Sequence, residues 1–450
     1  MPPDPASIAT MSVLPPASSA RRGMQRILSN LAHLFGGKAA AGVMSLVYLV
    51  IVTHRLGVHD YGILVLLNSY AILIGSTVAF SGFHGVVRYG TLALQAKDPA
   101  AFAHLVRFMA LIEISCGLLA ILVAAALAPI VGPWLGWSPE TIKLAILFSL
   151  AVLGTVRATP QGILQVAGRF DLIGLHQALA SPGVRLAGSL IVLFTGGGLK
   201  AFVLVWLASS LVEGLAMWAL AWSSWKKLAP GQPILGRTLG YGQRGDGLGR
   251  FILITNFDIT LRELAPNLAP LAIGTMLGPA ATGLFALAQK AATVLQQPGV
   301  LLGQASYAVF AGHSARGELA ALRKTTWRSV GLACAVALPL VLILQAFGGR
   351  LMKLIGGLTF RGGKELLVML AVASGVALAT APFSVSLTAI GKPQRSLTVG
   401  LIANLGLFPL LPLFLWRLGV DGAGVHAILQ NLVAAFAIIW YFLKDSRTGP

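Results

Sequence analysis

A chain of 450 residues that is 56% hydrophobic and only 10% charged, with a mean hydropathy of +0.82, cannot cover itself for water. Soluble globular chains carry about a quarter charged residues, so most of this surface must face lipid. The net charge of +19, from 33 basic against 14 acidic residues, would suggest nucleic acid in a soluble protein. Here most of those charges fall in short gaps between apolar runs, the pattern that orients membrane proteins, and nucleic acid is excluded as a partner.

Spanning about 30 Å of hydrocarbon takes roughly 20 apolar residues as helix. Residues 145–154 (AILFSLAVLG) and 366–380 (LLVMLAVASGVALAT) are continuously apolar, unlike the alternating strands of a β-barrel, so the fold class is an all-α polytopic membrane protein. In chain order, residues 1–30 read as a disordered cytoplasmic tail that carries Arg21, Arg22 and Arg26. The first apolar run ends in VTHRLG without a small-x-small cleavage site, so it reads as an uncleaved helix. Helices are expected near 31–53, 63–87, 106–130, 142–164, 171–195 and 201–223, which form an N-terminal bundle over 31–225. A basic cytoplasmic linker, 226–249, leads to helices near 250–275, 282–309, 329–349, 366–390, 396–416 and 424–443. These form a C-terminal bundle over 250–443, followed by a cytoplasmic tail over 444–450.

With the N-terminus inside, twenty Lys and Arg fall in cytoplasmic segments. Eight fall opposite: Arg55, Lys143, Lys200, Arg350, Lys353, Arg361, Lys364 and Arg417. The bias puts both termini in the cytoplasm, with the Arg350–Lys364 loop as the exception. The two halves also resemble each other. LGVHDYGILVL from Leu56 matches LGPAATGLFAL from Leu277, an offset of 221, and AGRF from Ala167 matches IGKP from Ile390, an offset of 223. Two matches at nearly one offset indicate a duplicated unit. Six helices per unit make the repeat parallel, with its pseudo-twofold axis along the membrane normal.

Asp98 and Pro99 read as an N-cap and first-turn proline opening the amphipathic stretch AAFAHLVRF, whose counterpart is ARGELAALRKTTWRS after Ser314. Both read as cytoplasmic surface segments that orient the protein. Cys116 and Cys334 lie inside apolar runs and read as small buried hydrophobes, since no His/Cys cluster offers metal spacing.

Several of these segments carry a family resemblance. Leu56 to Gly62 (LGVHDYG) resembles the LGxxxYG turn of oligosaccharide flippases of the MOP superfamily, and Pro160 to Phe170 (PQGILQVAGRF) resembles that family's Gln-Gly pair followed by a Gly-Arg turn. Leu277 to Leu287 and Gly391 to Arg395 (GKPQR) are similar to the second-half segments, so the resemblance runs over about residues 30–443. It implies twelve transmembrane helices in two parallel six-helix repeats around a central cavity. It also implies a cargo, polyprenyl-diphosphate-linked oligosaccharide, flipped from the cytoplasmic to the periplasmic leaflet of the bacterial inner membrane without catalysis or cofactor. Membrane lipids, a polysaccharide polymerase and glycosyltransferases are the implied partners. Multidrug and toxin exporters of the superfamily share the twelve-helix plan; lipid II flippases add two helices not found here.

Five cations remain inside the expected helices: Lys38, Arg157, Arg185, Arg262 and Lys290. Each costs roughly 2.5 to 3.5 kcal/mol at a helix centre, so they must pair, snorkel or line a water-filled cavity. Snorkelling competes for Lys38 and Arg157. Arg185, after a Ser-Pro-Gly break, together with Arg262 and Lys290, is expected to line the cavity. Guanidinium groups hold a diphosphate in bidentate fashion, so all five are candidate substrate-binding residues. Asp258 stands one helical turn before Arg262 and can pair with it. With Glu263, Glu113 and Glu213, Asp258 is a candidate for ion coupling.

Three other classes compete. Polysaccharide polymerases and ligases place catalysis in a sizeable outer loop, whereas the longest outer connection here, near 347–365, holds no paired carboxylates or nucleophile motif. Exporters of cationic drugs call for surplus buried acids, and the surplus here is basic. A structural scaffold has no use for charges this costly.

Overall fold

The structure, a computed structural model, describes residues 17–233, 236, 238, 247–293, 306–307 and 309–448. Side chains are described from Ala40 onward, except those of Asp258, Arg262, Ala265, Arg447 and Thr448. Regular structure among the described residues is helical. The first half comprises α1 (Ala17–Val78), α2 (Phe83–Gln95), α3 (Pro99–Val131), α4 (Pro139–Phe148), α5 (Ala158–Val166), α6 (Phe170–Ala178), α7 (Val184–Thr195) and α8 (Leu199–Leu228). The second comprises α9 (Leu248–Leu277), α10 (Pro279–Thr293), α11 (Leu319–Gly356), α12 (Lys364–Ala389), α13 (Pro393–Leu401), α14 (Leu411–Leu418) and α15 (Asp421–Thr448). Among the described residues, nine helical stretches are long and apolar enough to cross a membrane, including Pro99–Val131, Leu199–Leu228 and Leu319–Gly356.

The described residues are already helical at Ala17, ahead of the expected residue 31, so residues 17–30 are helix rather than the disordered tail expected there. Most of the expected linker lies outside the described residues, as do 294–305 of the helix expected over 282–309. Asp98 caps α3 as expected, its carboxylate accepting the Ala101 amide at 2.8 Å. The amphipathic stretch after Asp98 runs without a break into the apolar part of α3, and its counterpart continues from Leu319 into α11. Ahead of α11, Arg316 and His313 hold the Glu318 carboxyl down at about 2. Cys116 is half-buried and Cys334 exposed, so neither is the small core residue expected.

The duplication read from sequence extends through the turns. Gly57 and Gly278, 221 positions apart, both adopt positive φ and divide one helical rod from the next. Gly136 and Gly357, Gly168 and Gly391, and Gly196 and Gly419 repeat the pattern. The Gly-Arg turn that carries the family resemblance is held by its own charges: Arg169 grips Asp171 at 2.8 Å, and Lys392 reaches Asp445 at 3.2 Å.

Leu122, Phe194, Leu215, Leu342 and Phe436 are exposed on the outer faces, more apolar surface than water would tolerate. Inside, one core joins both halves at the end bearing the Gly57 and Gly278 kinks, packing Leu64, Leu67 and Phe202 with Phe285, Phe360 and Leu367. The first half has a further core around Phe102, Met109, Ile163 and Trp225, which Leu248 and Ile252 of α9 complete. The second half has its own around Phe310, Phe383 and Phe442. The halves therefore share one core at the end bearing the glycine kinks, while at the other end α9 packs onto the first half and the second half keeps a core of its own, which leaves room for cavities.

Candidate functional site

The π-bulge Leu179–Gly183 joins α6 to α7 at the Ser-Pro-Gly sequence and turns Ser181, Pro182 and Arg185 inward. They line a cavity of about 300 Å³ with Tyr48 of α1, Arg157 and Gln161 at the start of α5, Glu213 of α8, and Lys290 of α10. Four of the expected site residues, Arg157, Arg185, Lys290 and Glu213, thus converge on one space, and Lys290 reaches it from the opposite half.

These charges are held differently. Arg157 pairs directly with Glu213, so one expected cargo cation neutralises one expected coupling acid. Arg185 rests on neutral groups. Its Nε donates to Ser209 Oγ at 3.1 Å, an Nη donates to Tyr48 Oη at 3.4 Å, and the guanidinium stacks 4.3 Å from the Trp206 ring centre. His176 donates from Nε2 to the Glu213 carbonyl at 2.8 Å, tying α6 to α8. Among the described residues of the lining, three cations stand against one carboxylate, a net charge of +2. Gln177 Oε1 is buried there with no hydrogen-bond partner among the described residues.

The other expected residues stand elsewhere or lie outside the described side chains. Glu113 is fully buried and accepts the Ala158 and Thr159 amides at 2.7 and 2.8 Å, capping α5 from α3 and so fixing the backbone next to Arg157. Glu263 is exposed on α9. Lys38 lies on α1 and Asp258 and Arg262 on α9, but the side chains of all three, and with them the expected Asp258–Arg262 pair, lie outside those described. Among the described residues, no group of three His, Cys, Asp or Glu side chains could hold a metal ion.

Tyr48, Gln161, His176 and Gln177 were not among the expected site residues. Gln161 had a signal, since it belongs to the PQG segment; its neighbour Gly162 packs against Val86, where a Cβ would stand 3.0 Å from the Val86 Cβ.

Comparison with known proteins fits this architecture. The family described as "Polysaccharide biosynthesis protein" matches residues 51–361. The inner membrane protein YghQ of Escherichia coli (strain K12) is 28% identical over 281 residues, covering 62% of this chain and 79% of that protein. The structure superposes on an inward-facing multidrug resistance MATE family transporter of the MOP superfamily with a TM-score of 0.64 at 17% identity, covering 91% of this chain and 94% of that one. A MOP superfamily transporter from Pyrococcus furiosus, described as having a binding pocket of reversed polarity that suggests a different function, gives a TM-score of 0.57 at 15% identity, with 93% and 95% covered. The chain is a multi-pass membrane protein with the two-repeat fold of the MOP superfamily structures on which it superposes. The chain belongs to the polysaccharide biosynthesis protein family.

Proposed function

We propose that the protein flips polyprenyl-diphosphate-linked oligosaccharide from the cytoplasmic to the periplasmic leaflet of the bacterial inner membrane by alternating access. The observation that carries this reading is the +2 cavity, to which both halves contribute cations. A diphosphate diester presents about two negative charges and a run of acceptor oxygens to such a lining. An attraction of about 4 kcal/mol for a charge pair at 4 Å and an effective dielectric near 20 holds a headgroup without trapping it. Rocking of the halves about their shared core would carry the headgroup from one leaflet to the other, while the polyprenyl chain stays in lipid. In this reading the end opposite the glycine kinks, where the basic loops lie, faces the cytoplasm.

Deleting the gene in its source strain should remove the corresponding surface polysaccharide and leave its lipid-linked precursor on the cytoplasmic face, reachable by a glycosidase only in inverted vesicles. Precursor cleaved equally in vesicles of both orientations would sink the flippase reading. Energy-dependent efflux of a cationic dye that vanished with the gene, with surface polysaccharide intact, would favour the multidrug exporter instead.

Orientation has its own test. With Cys116 and Cys334 replaced by Ser, Ser314→Cys should resist a membrane-impermeant thiol reagent added outside, and Gly198→Cys should react with it. Gly198 suits the purpose because a Cβ there meets nothing within 4 Å. Reaction at both positions from outside would reject the topology.

A further inference from the structure

The second half holds a larger cavity, about 950 Å³, roughly three times the volume of the first. Its lining is related to that of the first cavity by the internal repeat. Tyr48 precedes Ala269 by 221 positions, and Ser181, Pro182 and Arg185 precede Asn404, Leu405 and Phe408 by 223; each residue lines the cavity of its own half. The π-bulge recurs as well: Leu179–Gly183 in the first half, Ile402–Gly406 in the second.

Geometry has been kept while chemistry has been exchanged. Where the first cavity has the guanidinium of Arg185, the second has the ring of Phe408. Among the described residues that line it, none is Asp, Glu, Lys or Arg. Five side-chain amides take their place, those of Gln289, Gln394, Asn404, Gln430 and Asn431. Gln430 donates from Nε2 to the Asn404 carbonyl at 3.3 Å, and Asn431 donates from Nδ2 to the Ala427 carbonyl at 2.8 Å. Gln430 and Asn431 thus each spend one donor on the backbone and keep a carbonyl oxygen and a second N–H for a ligand.

Uncharged donors and acceptors beside aromatic and aliphatic walls suit a neutral solute dense in hydroxyl groups with apolar ring faces, and an ion gains little there. The cavities also adjoin: Lys290 lines the first and Gln289, its neighbour on α10, lines the second. We infer that the second cavity is the saccharide subsite of a bipartite site, its amides hydrogen-bonding sugar hydroxyls while the diphosphate rests against Arg185 and Lys290. This inference rests on the flippase reading, and it assigns the two halves of the repeat to the two chemical halves of one cargo.

Purified full-length protein in nanodiscs decides it with two probes: undecaprenyl diphosphate without sugar, and the polyprenyl-diphosphate saccharide fraction extracted from the source strain lacking this gene. Gln430→Met and Asn431→Leu each keep bulk and helix propensity while removing an amide. Each should weaken the saccharide fraction at least tenfold and leave undecaprenyl diphosphate within twofold of wild type, whereas Arg185→Gln should weaken both. Either amide variant, if it fails to fold, leaves the other and Gln394→Leu to carry the measurement. Equal losses for both probes, or no loss for either, would overturn the saccharide subsite and leave the flippase reading standing. Wild-type protein that bound neither probe would overturn both.

Discussion

Arg185→Ala is expected to lower export of surface polysaccharide at least tenfold while the folded protein remains in the membrane at wild-type amount. Arg185 lies inside the apolar span Phe170–Thr195, where a cation costs roughly 2.5 to 3.5 kcal/mol, yet its described partners, Ser209, Tyr48 and Trp206, are all neutral. They orient the guanidinium without spending its charge, which stays available to an anion. Removing it deletes one or two charge-assisted hydrogen bonds worth about 1.5 to 3 kcal/mol each, and folding loses little because no carboxylate among the described residues is left unpaired. Arg185→Lys should recover part of the activity, since a point charge attracts a diphosphate but cannot grip it as a fork. Arg157→Ala differs in kind: it strands Glu213 and should lower the amount of folded protein as well. Lys226→Ala, in the last turn of α8 over the exposed ring of Trp222, is the control and should be silent. Export at wild-type level in both Arg185→Ala and Lys290→Ala would remove the cationic cavity from the mechanism.

Much of the fold was legible because lipid imposes it: helical runs, basic gaps and a repeat are all written along the chain. The offsets of 221 and 223 recur in the positive-φ glycines and in the linings of both cavities. The cost of burying charge also singled out Arg157, Arg185, Lys290 and Glu213, which meet in one cavity. What the chain could not display was pairing between helices. Arg157 and Glu213 stand two spans apart, so a reading one helix at a time assigned one to cargo and the other to coupling. Glu113 looked like an isolated acid because its partners, the Ala158 and Thr159 amides, become available only where a helix begins against α3. The amide cavity carried no energetic flag, since an Asn or Gln in an apolar run costs far less than a charge.

The larger consequence of the repeat concerns how the halves close. Gly62 and Gly283 are equivalent by the 221 offset and meet each other where α1 crosses α10, at the fused end of the bundle. A Cβ at Gly62 would stand 1.8 Å from the Pro279 carbonyl oxygen, and one at Gly283 would stand 2.2 Å from that of Val58. Both obstacles are backbone, so no rotamer relieves them and the helices must separate. Close crossings of this kind gain packing and Cα–H···O contacts that only glycine permits. Gly62→Ala and Gly283→Ala should therefore each prevent closure of the fused end and lower export at least tenfold, without removing folded protein from the membrane. In the cysteine-free background, Ser45→Cys, which lines the first cavity, should then react faster with an impermeant thiol reagent added outside. The double variant should behave like either single one, because both substitutions open the same contact. Gly42→Ala, on the same helix with nothing within 4 Å, is the control and should transport normally. Wild-type export in either crossing variant would mean that the fused end never has to close this tightly, and that the alternation runs through some other contact between the halves.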